Sequence, residues 1–288
     1  MSLPQRDDDS APVGIYRQPK IDCHCHVLDP HRFAYADDVA YRPAGQETGS
    51  ARYFEHVLDA YGVRHALLVG PNSGYGTDNR CLLDAIAQSQ GRFKGIAVVN
   101  MDTSLLALQA LAAQGVVGIA FNYALHGLDY YKNAPAMMDK LAQLGLWVQV
   151  QVSHDQMQHL EPILRGCGAG VLIDHCGRPD VEHRSTDRGF DAVLKLANSY
   201  KAVVKLSGFV KFSNADFPFP DTHGTVAELM AAYGPDRCIW ASDWPFLKAP
   251  RRLDYGPLLQ LFEQTVSDAR ARQKILWETP RRLFGFSA

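Results

Sequence analysis

Eight times along this chain, a short run of apolar residues is followed by a stretch whose apolar positions recur at helical spacing. The runs are 20–26 (KIDCHCH), 65–69 (HALLV), 95–100 (GIAVVN), 117–122 (VGIAFN), 146–151 (LWVQVQ), 171–175 (VLIDH), 203–207 (VVKLS) and 238–243 (CIWASD). Continuous rather than alternating apolar runs suit strands buried on both faces, as in a parallel sheet. Tyr53, Phe54, Val57, Leu58 and Tyr61 form the first helical stripe. Others fall at 82–87, 105–112, 137–144, 160–164, 190–197, 226–232 and 258–266, with a terminal helix at 270–284. Many end on glycine (Gly62, Gly91, Gly115, Gly145, Gly234), which tolerates the left-handed helix stop. Eight strand–helix pairs in about 250 residues is the count of an α/β (β/α)8 TIM barrel. An open doubly wound sheet is the competing layout, but no G-x-G-x-x-G follows the first strand. The reading is a single domain over 19–288, preceded by a flexible tail over 1–18.

Charge and composition exclude several function classes. Lys and Arg total 29 against 31 Asp and Glu, a net charge of -2, which argues against nucleic-acid and anionic-membrane partners. No apolar run approaches the ~20 residues of a membrane-spanning helix. Met1 to Gln18 is polar, with Asp7-Asp8-Asp9, and lacks the basic start and apolar core of a signal peptide. The six cysteines (23, 25, 81, 167, 176 and 238) are scattered, four of them in or beside strand-like runs. Buried reduced thiols in a cytoplasmic protein fit that pattern better than a disulfide framework. Nothing in it specifies an oligomeric state.

In a barrel of this kind, catalytic groups come from the C-terminal ends of several strands. Here those ends are polar. The first strand supplies His24 and His26, expected on one face with Cys23 and Cys25 on the other. Pro71-Asn72-Ser73-Gly74-Tyr75-Gly76-Thr77-Asp78-Asn79 follows the second. The fourth supplies Asn122, and the fifth Gln149 and Gln151. Asp174-His175-Cys176-Gly177-Arg178-Pro179 ends the sixth. The seventh supplies Lys205, Ser207 and, after Gly208, Lys211. Ser242-Asp243-Trp244-Pro245 ends the eighth. A lone His-x-His reads more readily as a pair of core histidines, and Asp243 alone as a helix N-cap. Convergence of so many polar ends on one rim reverses both readings. Two long connections, Leu28 to Gly49 and Phe209 to Thr222, are placed at that rim, as lids or packed on the barrel top.

Asp22-x-His24-x-His26, the strand-end His175 and Ser242-Asp243-Trp244-Pro245 together resemble the amidohydrolase superfamily. Gly76-Thr77-Asp78-Asn79 and Asp174-His175-Cys176-Gly177-Arg178-Pro179-Asp180 are similar to its 2-pyrone-4,6-dicarboxylate lactonase branch. The likeness runs over about 20–286, including Glu278 to Phe286. It implies a hydrolase of aromatic catabolism that opens a cyclic ester. Asp243 would deprotonate the attacking water, and His24, His26 and His175 would surround the reacting carbonyl, stabilising its charge. Substrate contacts are assigned to Ser73, Tyr75, Thr77, Asn122, Gln151, Arg178 and Lys211.

Metal and substrate are the two forks within that family. Its binuclear members use a strand-four lysine and a strand-five histidine. Residues 118–122 hold no lysine and 148–152 no histidine, with only His154 just beyond. The expectation is therefore no cofactor, or one divalent metal such as zinc on His24, His26, His175 and Asp243. The lactonase branch meets two substrate carboxylates with arginines on and after strand four. Here Ala120 and the segment Tyr123 to His126 offer none, and Lys211 stands after strand seven. Lysine does not replace arginine's planar fork equivalently. The small-molecule substrate is accordingly the pyrone dicarboxylate or a less charged sugar-acid lactone or muconolactone. A metal-dependent decarboxylase is a further alternative, and a barrel that binds a small acid without turnover ranks last.

Overall fold

The computed structural model describes residues 14–199 and 201–288. Eight strands form one sheet in chain order, each parallel to the next. They are β1 Lys20–Cys25, β2 Val63–Val69, β3 Phe93–Ala97, β4 Val116–Asn122, β5 Trp147–Gln151, β6 Val171–Ile173, β7 Ala202–Leu206 and β8 Cys238–Trp240. The helices are α1 Ala51–Ala60, α2 Arg80–Gln88, α3 Leu105–Ala113, α4 Tyr123–His126, α5 Ala134–Leu144, α6 Gln156–Gly166, α7 Arg188–Leu196, α8 His223–Tyr233, α9 Tyr255–Thr265, α10 Ala269–Gln273 and α11 Thr279–Phe284. Side-chain caps start several of them: Ser50, Ser104, Asp187 and Asp268 each accept a first-turn N–H. The chain is a TIM barrel. None of the described helices is long and apolar enough to cross a membrane.

Two apolar layers follow from the alternation of strand side chains. Ile21, Cys23, Leu67, Ile96, Leu172, Val203 and Ile239 fill the barrel, with Phe284 and Phe286 packed against them. The opposite strand faces, among them Leu68, Phe121, Val148 and Val204, meet the helices. Strand β1 breaks this alternation. Its register slips between Asp22 and Cys25, so Cys23 lies in the inner layer while Cys25 lies in the outer one. The two cysteines therefore do not share a face, contrary to the simple alternation. An irregularity of this kind re-aims the side chains beyond it.

Between β8 and β1 the barrel is closed by residues just past β8. Asp243 N–H donates to His24 O (2.8 Å) and His26 N–H to Trp244 O (2.7 Å). Beneath them, the wholly buried Asp22 accepts from Ser242 N (3.0 Å), Ser242 Oγ (2.5 Å) and Tyr255 Oη (2.9 Å). Strands β3, β6 and β8 stop two or three residues short of their apolar runs, because the chain there leaves the ladder to shape the rim. The terminal helix is interrupted by a π turn over 274–278, immediately before Pro280, which has no N–H for the regular ladder.

Most of the segment read as a tail lies outside the described residues. Of its last five, Ile15 is buried in the outer core, and Tyr16 O accepts from the buried Lys20 ammonium (3.4 Å). Both long connections are tied down. Leu28 and Gly49 exchange backbone hydrogen bonds (2.9 and 3.1 Å), and Asp221 accepts from Ser213 Oγ (2.6 Å) and Asn214 N (2.7 Å).

Gly49 lies so close to the Trp244 ring that a Cβ there would sit 2.0 Å from a ring carbon. Gly49→Ala is expected to lower the melting temperature by roughly 3–8 °C, the scale of an overpacked core site. Gly166→Ala, where a Cβ would meet nothing within 4 Å, should leave it unchanged in the same thermal scan.

Candidate active site

Three histidines aim their Nε2 atoms at one carboxylate oxygen. From Asp243 Oδ1, His26 Nε2 lies at 3.6 Å, and His24 Nε2 and His175 Nε2 each at 3.8 Å. All four residues are buried. The backbone that delivers them is strained. After β6, His175, Cys176, Gly177 and Arg178 all have positive φ (51°, 58°, 75° and 49°), and Asp243 has φ 62°. Non-glycine residues rarely adopt this region, and such strain clusters at functional sites. Gly208 makes room for the His175 ring, since a Cβ there would stand 2.5 Å from Nδ1.

The partners on the Nδ1 side assign the tautomers of His26 and His175. His26 Nδ1 donates to Val69 O (2.8 Å), which leaves Nε2 bare. His24 Nδ1 lies 3.2 Å from Asp174 Oδ1, an acceptor, and 3.2 Å from the Lys205 ammonium, a donor. Behind it the Lys205 ammonium, wholly buried, meets Asp174 Oδ1 (3.0 Å) and Gln149 Oε1 (2.6 Å). Gln149 Nε2 donates in turn to Asp174 Oδ2 (2.9 Å). His175 Nδ1 lies 3.1 Å from Ser207 Oγ. That hydroxyl has no other side-chain partner among the described residues, so it donates to Nδ1 and His175 carries its proton on Nε2. Around the Asp243 carboxylate the site thus presents a bare imidazole nitrogen from His26, an N–H from His175 and the Nε2 of His24.

Electrostatics fix the charges. Burial pulls His24 down to about 4, partly opposed by Asp174, and it pulls His175 well below the usual histidine range. Both rings are neutral at pH 7. For Asp243, burial favours the protonated form, but His175 and the Lys211 ammonium (Nζ 3.6 Å from Oδ2) reverse it, holding the carboxyl well below its usual range. Asp243 Oδ2 has no hydrogen-bond partner among the described residues. An ionised base with a spare lone pair faces the cavity.

That cavity, about 300 Å³, opens at the C-terminal ends of the strands. His24, His26, His175 and Asp243 line it, as do Ser73, Asn122, Gln151, Arg178 and Lys211 among the expected substrate contacts. Tyr75 and Thr77 do not. Gly74 and Gly76, both at positive φ, fold the loop so that Tyr75 is buried under the 28–49 connection. Its Oη accepts from Asp29 N (3.0 Å) and its ring meets Tyr35. Thr77 is left exposed on the loop. Sequence reasoning passed over the support for His24. Lys205 interrupts the apolar run VVKLS, and that lone charge was the available signal. A larger open groove of about 1140 Å³ runs outside Trp244, past Tyr53, Val57 and Tyr61. No catalytic histidine reaches it.

Ligand atoms of His24, His175 and Asp243 all lie within 4.8 Å of one another, and the imidazoles are steered from behind as metal ligands usually are. These residues fit one divalent ion, provided His175 turns its lone pair inward.

Known proteins resemble this chain along nearly its whole length. A family model described as amidohydrolase matches residues 21–286. A 4-sulfomuconolactone hydrolase of Rhizobium radiobacter is 28% identical over 285 residues, covering 96% of this chain and 93% of that protein. A 2-pyrone-4,6-dicarboxylate hydrolase of Comamonas testosteroni is 26% identical over 277 residues, covering 92% and 89%. Among solved structures, one described as a probable 2-pyrone-4,6-dicarboxylic acid hydrolase of Acinetobacter baumannii, with citric acid bound, has a TM-score of 0.83 at 29% identity. It covers 93% of this chain and 99% of that one.

The buried groups make stability depend on pH in opposed directions. His24 binds its proton near 4 in the fold against an ordinary 6.5. The unfolded chain holds more protons between those values, so stability falls as pH drops from 6.5 to 4, by roughly 3 kcal/mol. His175 adds to the fall. Asp22, pushed up by burial to about 6 from 3.8, acts the other way: its fold gains stability as pH drops through 6. Urea midpoints should therefore fall between pH 6.5 and 4, more steeply in Asp22→Asn and less steeply in His24→Asn. Parallel curves for all three proteins would contradict these protonation states.

Proposed function

The chain belongs to the amidohydrolase family, and on that premise we propose that it hydrolyses a lactone by attack of water on the ring carbonyl. The observation that carries this reading is the convergence of His24, His26 and His175 on Asp243 at the floor of the cavity. The relatives named as lactone hydrolases support it across nearly the whole chain.

Asp243 takes one proton from water as the oxygen bonds to the carbonyl carbon. The bare Nε2 of His26 accepts the other O–H and orients the attack. His175 Nε2–H and the Lys211 ammonium stand where a carbonyl oxygen gathers negative charge, supplying preorganised stabilisation in a dry site. The tetrahedral intermediate then expels the ring oxygen. As that C–O bond breaks, the proton on Asp243 passes to the leaving oxygen, giving a hydroxy acid and restoring the carboxylate. The new carboxylic acid ionises, so one proton is released per turnover.

His24, His175 and Asp243, beside His26, would hold a divalent ion, and such an ion would supply Lewis-acid charge to the carbonyl oxygen. The charge balance favours the chain's own groups: Lys211 already answers Asp243, and Arg178 lines the same cavity. We place the reaction on those groups without a resident metal. The substrate is a small molecule. The six cysteines are unpaired and five are buried, which suits the reducing cytoplasm.

Asp243→Asn should retain the fold by circular dichroism and lose roughly 10²–10⁴-fold in kcat, the usual scale of general-base catalysis. Wild-type turnover in that variant would remove Asp243 from the mechanism. Protein dialysed against chelator should hydrolyse lactones at its original rate. Loss of activity restored by zinc would assign the carbonyl charge to an ion instead.

A further inference from the structure

The cavity has two chemically different walls. Because the strands follow in order round the barrel, β2 faces β6 and β4 faces β8 across the mouth. The β2–β4 side contributes Val69 to Ser73, then Ala120, Phe121, Asn122, Ala124 and Leu125, without one charged side chain. The β6–β8 side contributes Asp174 and Asp243 together with Arg178, Lys211 and Lys248.

Most of those charges are already answered. Lys205 sits 3.0 Å from Asp174, and Lys211 sits 3.6 Å from Asp243. Lys248 is exposed at the rim, its ammonium 4.5 Å over the Tyr41 ring. Arg178 is different. Its guanidinium makes no hydrogen bond and no ion pair among the described residues, and its Nε is shut off from solvent. A buried donor left unmatched is costly, and a planar guanidinium matches a carboxylate through two parallel hydrogen bonds.

We infer that the lactone carries one carboxylate, seated on Arg178, and turns an uncharged remainder to the β2–β4 wall. This rests on the hydrolase reading for the chemistry, but not for the binding. A second carboxylate directed at the β2–β4 wall meets no cation there, and losing its hydration without a partner is unfavourable. A neutral lactone leaves Arg178 unmatched.

The test uses the full chain and three lactones of one ring: 2-pyrone, 2-pyrone-6-carboxylate and 2-pyrone-4,6-dicarboxylate. The monocarboxylate is expected to exceed each of the others in kcat/KM by about 10-fold or more, the scale of one charge-assisted contact. Arg178→Gln should lower its kcat/KM about 10–100-fold, chiefly through KM, and bring it within about threefold of neutral 2-pyrone. Leu125→Arg, which adds a cation to the uncharged wall, should raise kcat/KM for the dicarboxylate by about 10-fold. Calorimetric titration with tetrahydropyran-2-carboxylate, which has no ester to cleave, reads the binding alone. Arg178-dependent binding of that acid with no turnover of any pyrone would overturn the hydrolase reading and keep the carboxylate site. Preference for the dicarboxylate, or equal losses on all three pyrones in Arg178→Gln, would overturn the inference and keep the hydrolase.

Discussion

The site depends on one buried ion pair, Asp174 with Lys205, set in the middle of the barrel. An isolated charge at that depth costs several kcal/mol, and even a good pair roughly breaks even unless its remaining hydrogen bonds are met. Here they are. Lys205 is shared between Asp174 and Gln149, Gln149 closes the ring back to Asp174, and both Asp174 and Lys205 meet His24 Nδ1. The network joins side chains of β1, β5 and β7 to the residue that follows β6. Its functional product is a fixed His24 ring, with Nε2 turned to Asp243.

A second constraint acts where the barrel closes. β8 is only three residues long, so closure against β1 falls to the segment that also carries Asp243. The bond from Asp243 N to His24 O and the grip of Asp22 on Ser242 fix the base and the histidine relative to each other through the backbone. The left-handed conformation of Asp243 persists because these contacts over-determine it. Closing the fold and building the site are one event, which explains why the strained residues and the chemical ones coincide.

Much of this was legible in the sequence, and the remainder has identifiable physical causes. Strand and helix order follow from hydrophobic period, which needs only nearest neighbours. The polar ends of seven of the eight apolar runs pointed to the rim and brought His24, His26, His175 and Asp243 together as candidates. Alternation failed at Cys23 and Cys25, because a slip in β1 is decided by pairing with β2. Tyr75 and Thr77, expected as substrate contacts, do not reach the cavity because two positive-φ glycines send that loop under a distant connection. Arg178 offered an easy salt bridge to the neighbouring Asp174 or Asp180. The structure gives Asp174 to Lys205, a partner 31 positions away, and leaves the guanidinium for a ligand. Pair choices between remote strands are tertiary facts, and no local pattern encodes them.

The central claim is that water bound at Asp243 attacks the ring carbonyl itself. Turnover of 2-pyrone-6-carboxylate in ¹⁸O-labelled water, followed by mass spectrometry of the ring-opened product, tests it most directly. The account predicts one ¹⁸O in the newly formed carboxylate and none at the carbon that bore the ring oxygen. Label at that carbon, or a product with no label from water in the new carboxylate, would contradict it.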